Sequence, residues 1–206
     1  MMVIVGMEES QVICEAFRAK GHTAYSCDLK PCSGSHPEWH IVGDIFQVMN
    51  CGLCFDLGIF HPDCTFLTVS NNSAMNNGCS KYTAKQARKY RAEAVDNFLK
   101  CEAFDIEKIA LENPIGIMSS LFKKPDQIIQ PYQFGHDASK KTCLWLKGLP
   151  LLKPTKYIEP RTINGLKRWG NQTDSGQNRL GPSEDRATIR AKTYPGIAKA
   201  MAEQWG

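Results

Sequence analysis

No apolar run in this 206-residue sequence approaches the ~20 residues that a membrane-crossing helix needs. That excludes a helical membrane protein, and no membrane partner is expected. The opening Met1-Met2-Val3-Ile4-Val5-Gly6 has no basic leader, and its apolar run is too short for a signal peptide, so it reads as a strand. There is no internal repeat and no low-complexity segment, which sets aside repeat arrays. The loop density and small size of a disulfide scaffold are missing as well. Nine cysteines, an odd number, sit in otherwise globular sequence and read as reduced thiols in a cytoplasmic protein.

What is present is ordinary for a water-soluble domain: 42% hydrophobic and 22% charged residues. The length suits one domain over 1–206, with 117–181 as a small irregular insertion facing the substrate. Charge is uneven. Residues 140–206 hold 13 Lys/Arg against 5 Asp/Glu, a net +8, whereas residues 1–139 are net −4. A basic C-terminal third suits a polyanion such as nucleic acid. A solvated basic surface is the other reading.

Strand-like and helix-like patterns alternate. Val3–Gly6 is followed by a helix over Glu9–Lys20, then strands at His22–Leu29, Ile41–Ile45 and Phe55–Phe60. A polar loop is expected over Ser70–Ser80, an amphipathic helix over Ala84–Phe104, and a strand over Ile106–Leu111. Lys141–Leu146 suits a further strand. Lys153–Gln177 reads as irregular, a helical pattern resumes at Ser183, and Ile197–Trp205 is the last helix. The alternation implies an α/β fold: a Rossmann-like, doubly wound, mostly parallel sheet with helices on both faces.

In such a sheet, ligands bind at the carboxyl ends of the strands. Two apolar runs end in chemistry there: His61-Pro62-Asp63-Cys64-Thr65 and Leu111-Glu112-Asn113-Pro114. They would deliver a thiol, Cys64, as nucleophile and a carboxyl, Glu112, as proton donor. Burial should raise the Glu112 pKa and leave it protonated near neutrality. Asp63 should raise the Cys64 pKa.

The first turn, Gly6-Met7-Glu8-Glu9-Ser10, lacks a glycine fingerprint and carries two acids, which argues against a pyrophosphate cradle. Glu8 and Glu9 suit a cationic or amine-bearing cofactor. Asp28 ends the second strand, where an acid commonly binds ribose hydroxyls, and Asp44 ends the third, in reach of an adenine amine. Taken in order, these residues suggest an adenosine-containing ligand such as S-adenosylmethionine. Gly6, Ser10 and Pro62 would line the same edge.

This order of pieces resembles the cytosine-5 DNA methyltransferases, whose signatures are a Pro-Pro-Cys loop and a Glu-Asn-Val strand end. The likeness covers roughly residues 1–116. Short phage-encoded members are similar over most of the chain, in Cys64-Thr65-Phe66-Leu67-Thr68-Val69-Ser70, in Gln130-Pro131-Tyr132-Gln133-Phe134-Gly135-His136, and in Lys141 through Pro150. The resemblance implies S-adenosylmethionine as cofactor. Cys64 would add to carbon 6 of cytosine, Glu112 would hold a proton at nitrogen 3, and Asn113 and Pro114 would shape the base pocket. The base must first leave its stack.

This chain departs from the pattern in four places. Asp63 replaces the second proline, Glu8-Glu9-Ser10 replaces a Gly-rich turn, and Pro114 replaces valine. The Gln-x-Arg-x-Arg strand is not evident, and Lys140, Lys141 and Lys147 are the nearest basic residues. There is also no room for a full target-recognition domain. A second reading follows from these departures: a nucleic-acid- or nucleotide-binding protein on a catalytically altered scaffold, with a counter-defence or regulatory role.

Two further features bear on partners. Arg186 and Arg190 share a helix face at i, i+4, and Lys167, Arg168 and Trp169 could stack a base. The spacing Cys51-x-x-Cys54 and His61-x-x-Cys64 could hold zinc, but the intervening strand should keep the pairs apart, so no metal is expected.

Overall fold

Val3, Ile4, Val5, Leu57 and Ile59 are fully buried, as continuous apolar strands covered on both faces must be. A computed structural model describes residues 1–183 and 186–206. The strands are β1 (Met2–Gly6), β2 (Thr23–Asp28), β3 (His40–Val42), β4 (Leu57–Phe60), β5 (Lys108–Pro114), β6 (Gln127–Ile129), β7 (Thr142–Lys147), β8 (Arg161–Ile163) and β9 (Leu166–Arg168). The helices are α1 (Val12–Ala19), α2 (Ile45–Met49), α3 (Asn72–Asn77), α4 (Ala84–Glu102), α5 (Met118–Leu121), α6 (Arg186–Ala191) and α7 (Pro195–Trp205).

Seven strands form one sheet in the order β3-β2-β1-β4-β5-β7-β6. β1 to β5 run parallel, and β7 is antiparallel to both β5 and β6. This is a Rossmann-like, doubly wound, mostly parallel sheet. Side chains alternate between its faces. Val3, Val5, Leu57, Ile59, Ala110 and Leu144 pack towards α1 and α7. Ile4, Phe60, Ile109, Leu111 and Trp145 pack towards α4, around Phe98.

Several sequence expectations shift. The first helix starts at Val12 rather than Glu9, because the turn before it is held in left-handed backbone at Met7 and Gln11, both at φ 61°. The third strand stops at Val42, and Asp44 instead caps α2, accepting from the Phe46 amide at 3.0 Å. The loop expected over Ser70–Ser80 contains α3, which α4 holds in place: Arg91 donates to Asn72 Oδ1 and Arg88 to Met75 O. The segment 117–181 is not wholly irregular, since β6 and β7 complete the main sheet and β8–β9 form a hairpin closed by Asn164-Gly165, both at positive φ. Pro195 opens α7 instead of interrupting a helix, as proline can at a first helical turn. Of the helix expected from Ser183, residues 184 and 185 lie outside the described part.

Candidate active site

The strand order reverses between β1 and β4, and a crevice forms at the carboxyl ends of strands at such a point. His61-Pro62-Asp63-Cys64 leaves β4 there, and Glu112-Asn113-Pro114 ends the adjacent β5, with Phe60 opposite Leu111. Two ties join these tips. The Asn113 side-chain amide donates to Pro62 O at 2.8 Å, and the Ile117 amide donates to Leu67 O at 2.9 Å. Gly116 permits the second, because a Cβ there would lie 2.1 Å from Leu67 O.

Cys64 sits at the head of a tight turn. Its carbonyl accepts from the amides of Leu67 and Thr68. Exposed Asp63 shapes the same turn, its Oδ1 accepting from the Thr65 amide at 2.8 Å and the Thr65 hydroxyl at 2.6 Å. The thiol is half-buried rather than in the core. Burial and then the Asp63 charge push its pKa up, against the opposing charge of Lys140. A nucleophilic thiolate there needs further stabilisation when substrate binds.

Glu112 differs from expectation. Burial alone would raise its pKa, but His61 Nδ1 lies 3.2 Å from Glu112 Oε2. The His61 charge and contact, then Lys140 and Thr193, lower it to about 2. Glu112 is therefore ionised at neutrality instead of protonated. The His61 ring follows suit: burial would lower its pKa, but Glu112 and then Glu8 outweigh that and raise it. The Thr193 hydroxyl, ahead of α7, stands 3.5 Å from Glu112 Oε2.

Lys140 acts electrostatically on Cys64, His61 and Glu112 alike. It precedes β7, whose Thr142 pairs with Pro114, and its amide donates to buried Gln130 at 2.9 Å. Lys141 is exposed beside it. Arg186 and Arg190 lie on α6 and make no side-chain hydrogen bond or ion pair to the site among the described residues. The segment after them does reach it, through Thr193 and through Lys192 O, which accepts from Lys140 Nζ at 3.4 Å.

At the turn after β1, Gly6 packs so tightly that a Cβ would meet the Phe60 ring at 2.5 Å. Glu8 is 5% exposed, and its carboxylate accepts from the amides of Ile13 at 2.8 Å and Cys14 at 3.3 Å. It caps α1, which engages both carboxylate oxygens expected to face a cofactor. Burial raises its pKa to about 6. Glu9 and Ser10 are half-buried, with no side-chain partner among the described residues. Asp28 and Asp44 each use one oxygen on a backbone amide, of Lys30 and Phe46 respectively, and the other has no partner among the described residues. Exposed Leu29 and Val42 adjoin these acids. Acceptors for hydroxyls and an amine, beside apolar surface, fit the adenosine part of S-adenosylmethionine.

His61 and Thr193 were not assigned to this chemistry from sequence. His61 was visible in its motif, and its place three residues before Cys64 at a strand end was the available signal; Thr193 had none. Trp169 is stacked on Tyr132, with ring centroids 4.3 Å apart and planes at 14°, so one face of the indole is taken. Cys51 and Cys54 are exposed, and among the described residues no group of three or more His, Cys, Asp or Glu could hold a metal.

No protein-family model matches this sequence, and no curated protein matches it significantly. Solved structures do align with the fold. A protein assigned as a DNA modification methyltransferase encoded within an E. coli prophage aligns with TM-score 0.48 and 11% identity, over 80% of this chain and 53% of that one. The S. pombe Dnmt2 methyltransferase gives 0.43 and 12%, over 73% and 50%. A triple mutant of Spodoptera frugiperda DNMT2 gives 0.37 and 12%, over 81% and 57%. The chain spans about half the length of each of these structures. No described helix is long and apolar enough to cross a membrane.

Proposed function

We propose that this chain is an S-adenosylmethionine-dependent methyltransferase acting on carbon 5 of cytosine in DNA. The observation that carries this reading is the pairing of Cys64 and Glu112 at the tips of adjacent parallel strands, tied through Asn113 and Pro62. Buried Asn113 Oδ1 has no partner among the described residues. An orphaned acceptor of this kind suits an incoming ligand, because buried polar atoms are otherwise satisfied.

Asp28 and Asp44 would hold the adenosine of the cofactor, with Glu9, Ser10 and the Gly6 and Pro62 backbone beside them. When bound, the cofactor supplies an electrophilic methyl group. The chain's own part is to present the Cys64 sulfur to carbon 6 of an extruded cytosine, to hold the ring's nitrogen edge at Glu112, and to keep water out. Lys140 and Lys141 at the rim suit a phosphate backbone, with Arg186 and Arg190 of α6 further along the basic third. Residues 117–181 would be the substrate-facing part of a single domain over 1–206.

Trapping tests the chemistry. With S-adenosylmethionine and DNA containing 5-fluorocytosine, the wild type should form a covalent adduct that Cys64→Ser abolishes. No adduct on any DNA form, or an undiminished one in Cys64→Ser, refutes the nucleophile. The raised Cys64 pKa favours the second reading, a binding protein on this scaffold. Calorimetry showing nucleic-acid binding with no affinity for S-adenosylmethionine would establish it.

A further inference from the structure

Three ionisable side chains act on one another at the ends of three neighbouring strands: Glu8 beyond β1, His61 beyond β4 and Glu112 on β5. Lys140, ahead of β7, acts electrostatically on His61 and Glu112, and the Thr193 hydroxyl, ahead of α7, reaches Glu112. His61 Nδ1 contacts Glu112 Oε2 at 3.2 Å with both side chains largely buried, at 17% and 11% exposure. The other ring nitrogen, Nε2, is buried with no partner among the described residues. The ring's charge is therefore held by Glu112 and Glu8 alone.

We propose that His61 is a positioning residue that stores the proton Glu112 delivers, keeping the carboxylate ionised until a base enters and then returning the proton to it. This rests on the cytosine reading above. A flat base arriving at the strand tips strips remaining water from the ion pair. Loss of water favours the neutral pair over the charged one. The Nδ1–H bond breaks, its electron pair stays on nitrogen, and an Oε2–H bond forms on Glu112, with no change in the pair's net charge. The carboxyl can then share that proton with ring nitrogen 3 while the Cys64 sulfur donates its electron pair to carbon 6 and the ring electrons move to that nitrogen. If the sulfur leaves before methyl transfer, the same path runs backwards; after it, nitrogen 3 returns its proton to Glu112 and the carbon 5 proton passes to water as the thiolate is expelled.

The ring signals of the five histidines, followed by NMR against pH, test the store directly, with His61→Asn identifying the His61 signal. In the wild type its midpoint should lie above the ordinary histidine value, and Glu112→Gln should lower it by more than one pH unit. A wild-type midpoint at or below the ordinary value, or one unmoved in Glu112→Gln, overturns the proposal. The second arm is the rate of adduct formation on 5-fluorocytosine DNA from pH 6 to 9. The wild-type rate should fall above the His61 midpoint. His61→Asn should be at least tenfold slower and lose that alkaline limb. A His61→Asn rate and profile like the wild type's overturns the relay. No wild-type adduct on any DNA form instead sinks the cytosine reading and the proton's destination with it, while the ring titration still decides whether the pair exists.

Discussion

The turn after β1 and the tips of β4 and β5 stand at the same edge of the sheet and treat their polar atoms in opposite ways. At the turn, Glu8 is consumed by the fold: both of its oxygens cap α1. At the tips, His61 Nε2 and Asn113 Oδ1 are buried without partners among the described residues, and the Cys64 thiol is half-exposed. The difference teaches that an acid near a strand end can serve as a ligand group only while one of its oxygens stays unclaimed: α1 takes both of Glu8's, whereas α2 takes one of Asp44's. Uncapped helix amides attract any carboxylate in reach, and Glu8 lies four residues before the helix.

The largest effect that would break the contrast is on chemistry. Cys64→Ser should lower adduct formation at least about a thousandfold while shifting stability by no more than about 0.5 kcal/mol, since the side chain is half-exposed; trapping and thermal melting read the two. Next is Glu112→Gln, which strands His61 beside Glu8 and should cost about 3–5 kcal/mol in denaturant unfolding. Gly116→Ala drives a methyl into Leu67 O. It should cost about 1–3 kcal/mol and slow trapping, by displacing the turn that carries Cys64.

The turn after β1 gives smaller effects. Glu8→Ala uncaps α1 and should cost about 1–2 kcal/mol with no specific loss of cofactor affinity, whereas Asp28→Ala should weaken S-adenosylmethionine binding about tenfold in calorimetry and leave melting unchanged. The two acids also differ in the sign of their pH dependence. Glu8 has its pKa raised from 4.5 to about 6. The folded chain thus binds that proton more tightly than the unfolded chain, and stability falls as pH rises through that window. Glu112 has its pKa lowered from 4.5 to about 2. Its contribution is present above 4.5 and is lost as pH falls towards 2. Denaturant midpoints between pH 3 and 7 should show Glu8→Gln removing the upper slope and Glu112→Gln the lower.

Much of the sheet was legible, because parallel strands buried on both faces read as short continuous apolar runs between helical periods. Val3–Val5, Leu57–Phe60 and Ile109–Leu111 are such runs. β6 and the β8–β9 hairpin escaped notice, being three residues per strand and half-exposed; the Asn164-Gly165 pair was their one strong signal. At the site, Cys64 and Glu112 stood out because each follows an apolar run. The charge state of Glu112 is not legible in sequence, because the pattern shows its burial but not its contact with His61.

The sequence by itself determined which residues alternate, where the strands end, and that a thiol and a carboxyl terminate two of them. Those are local facts, set by side-chain period and chain order. The tertiary structure alone decided that β4 and β5 are neighbours, that Glu8 turns back onto its own helix, and that His61, Lys140 and Thr193 converge on Glu112 from separate elements. Charge states depend on distances of a few ångströms between residues far apart in the chain, and only the packed sheet brings them within that range.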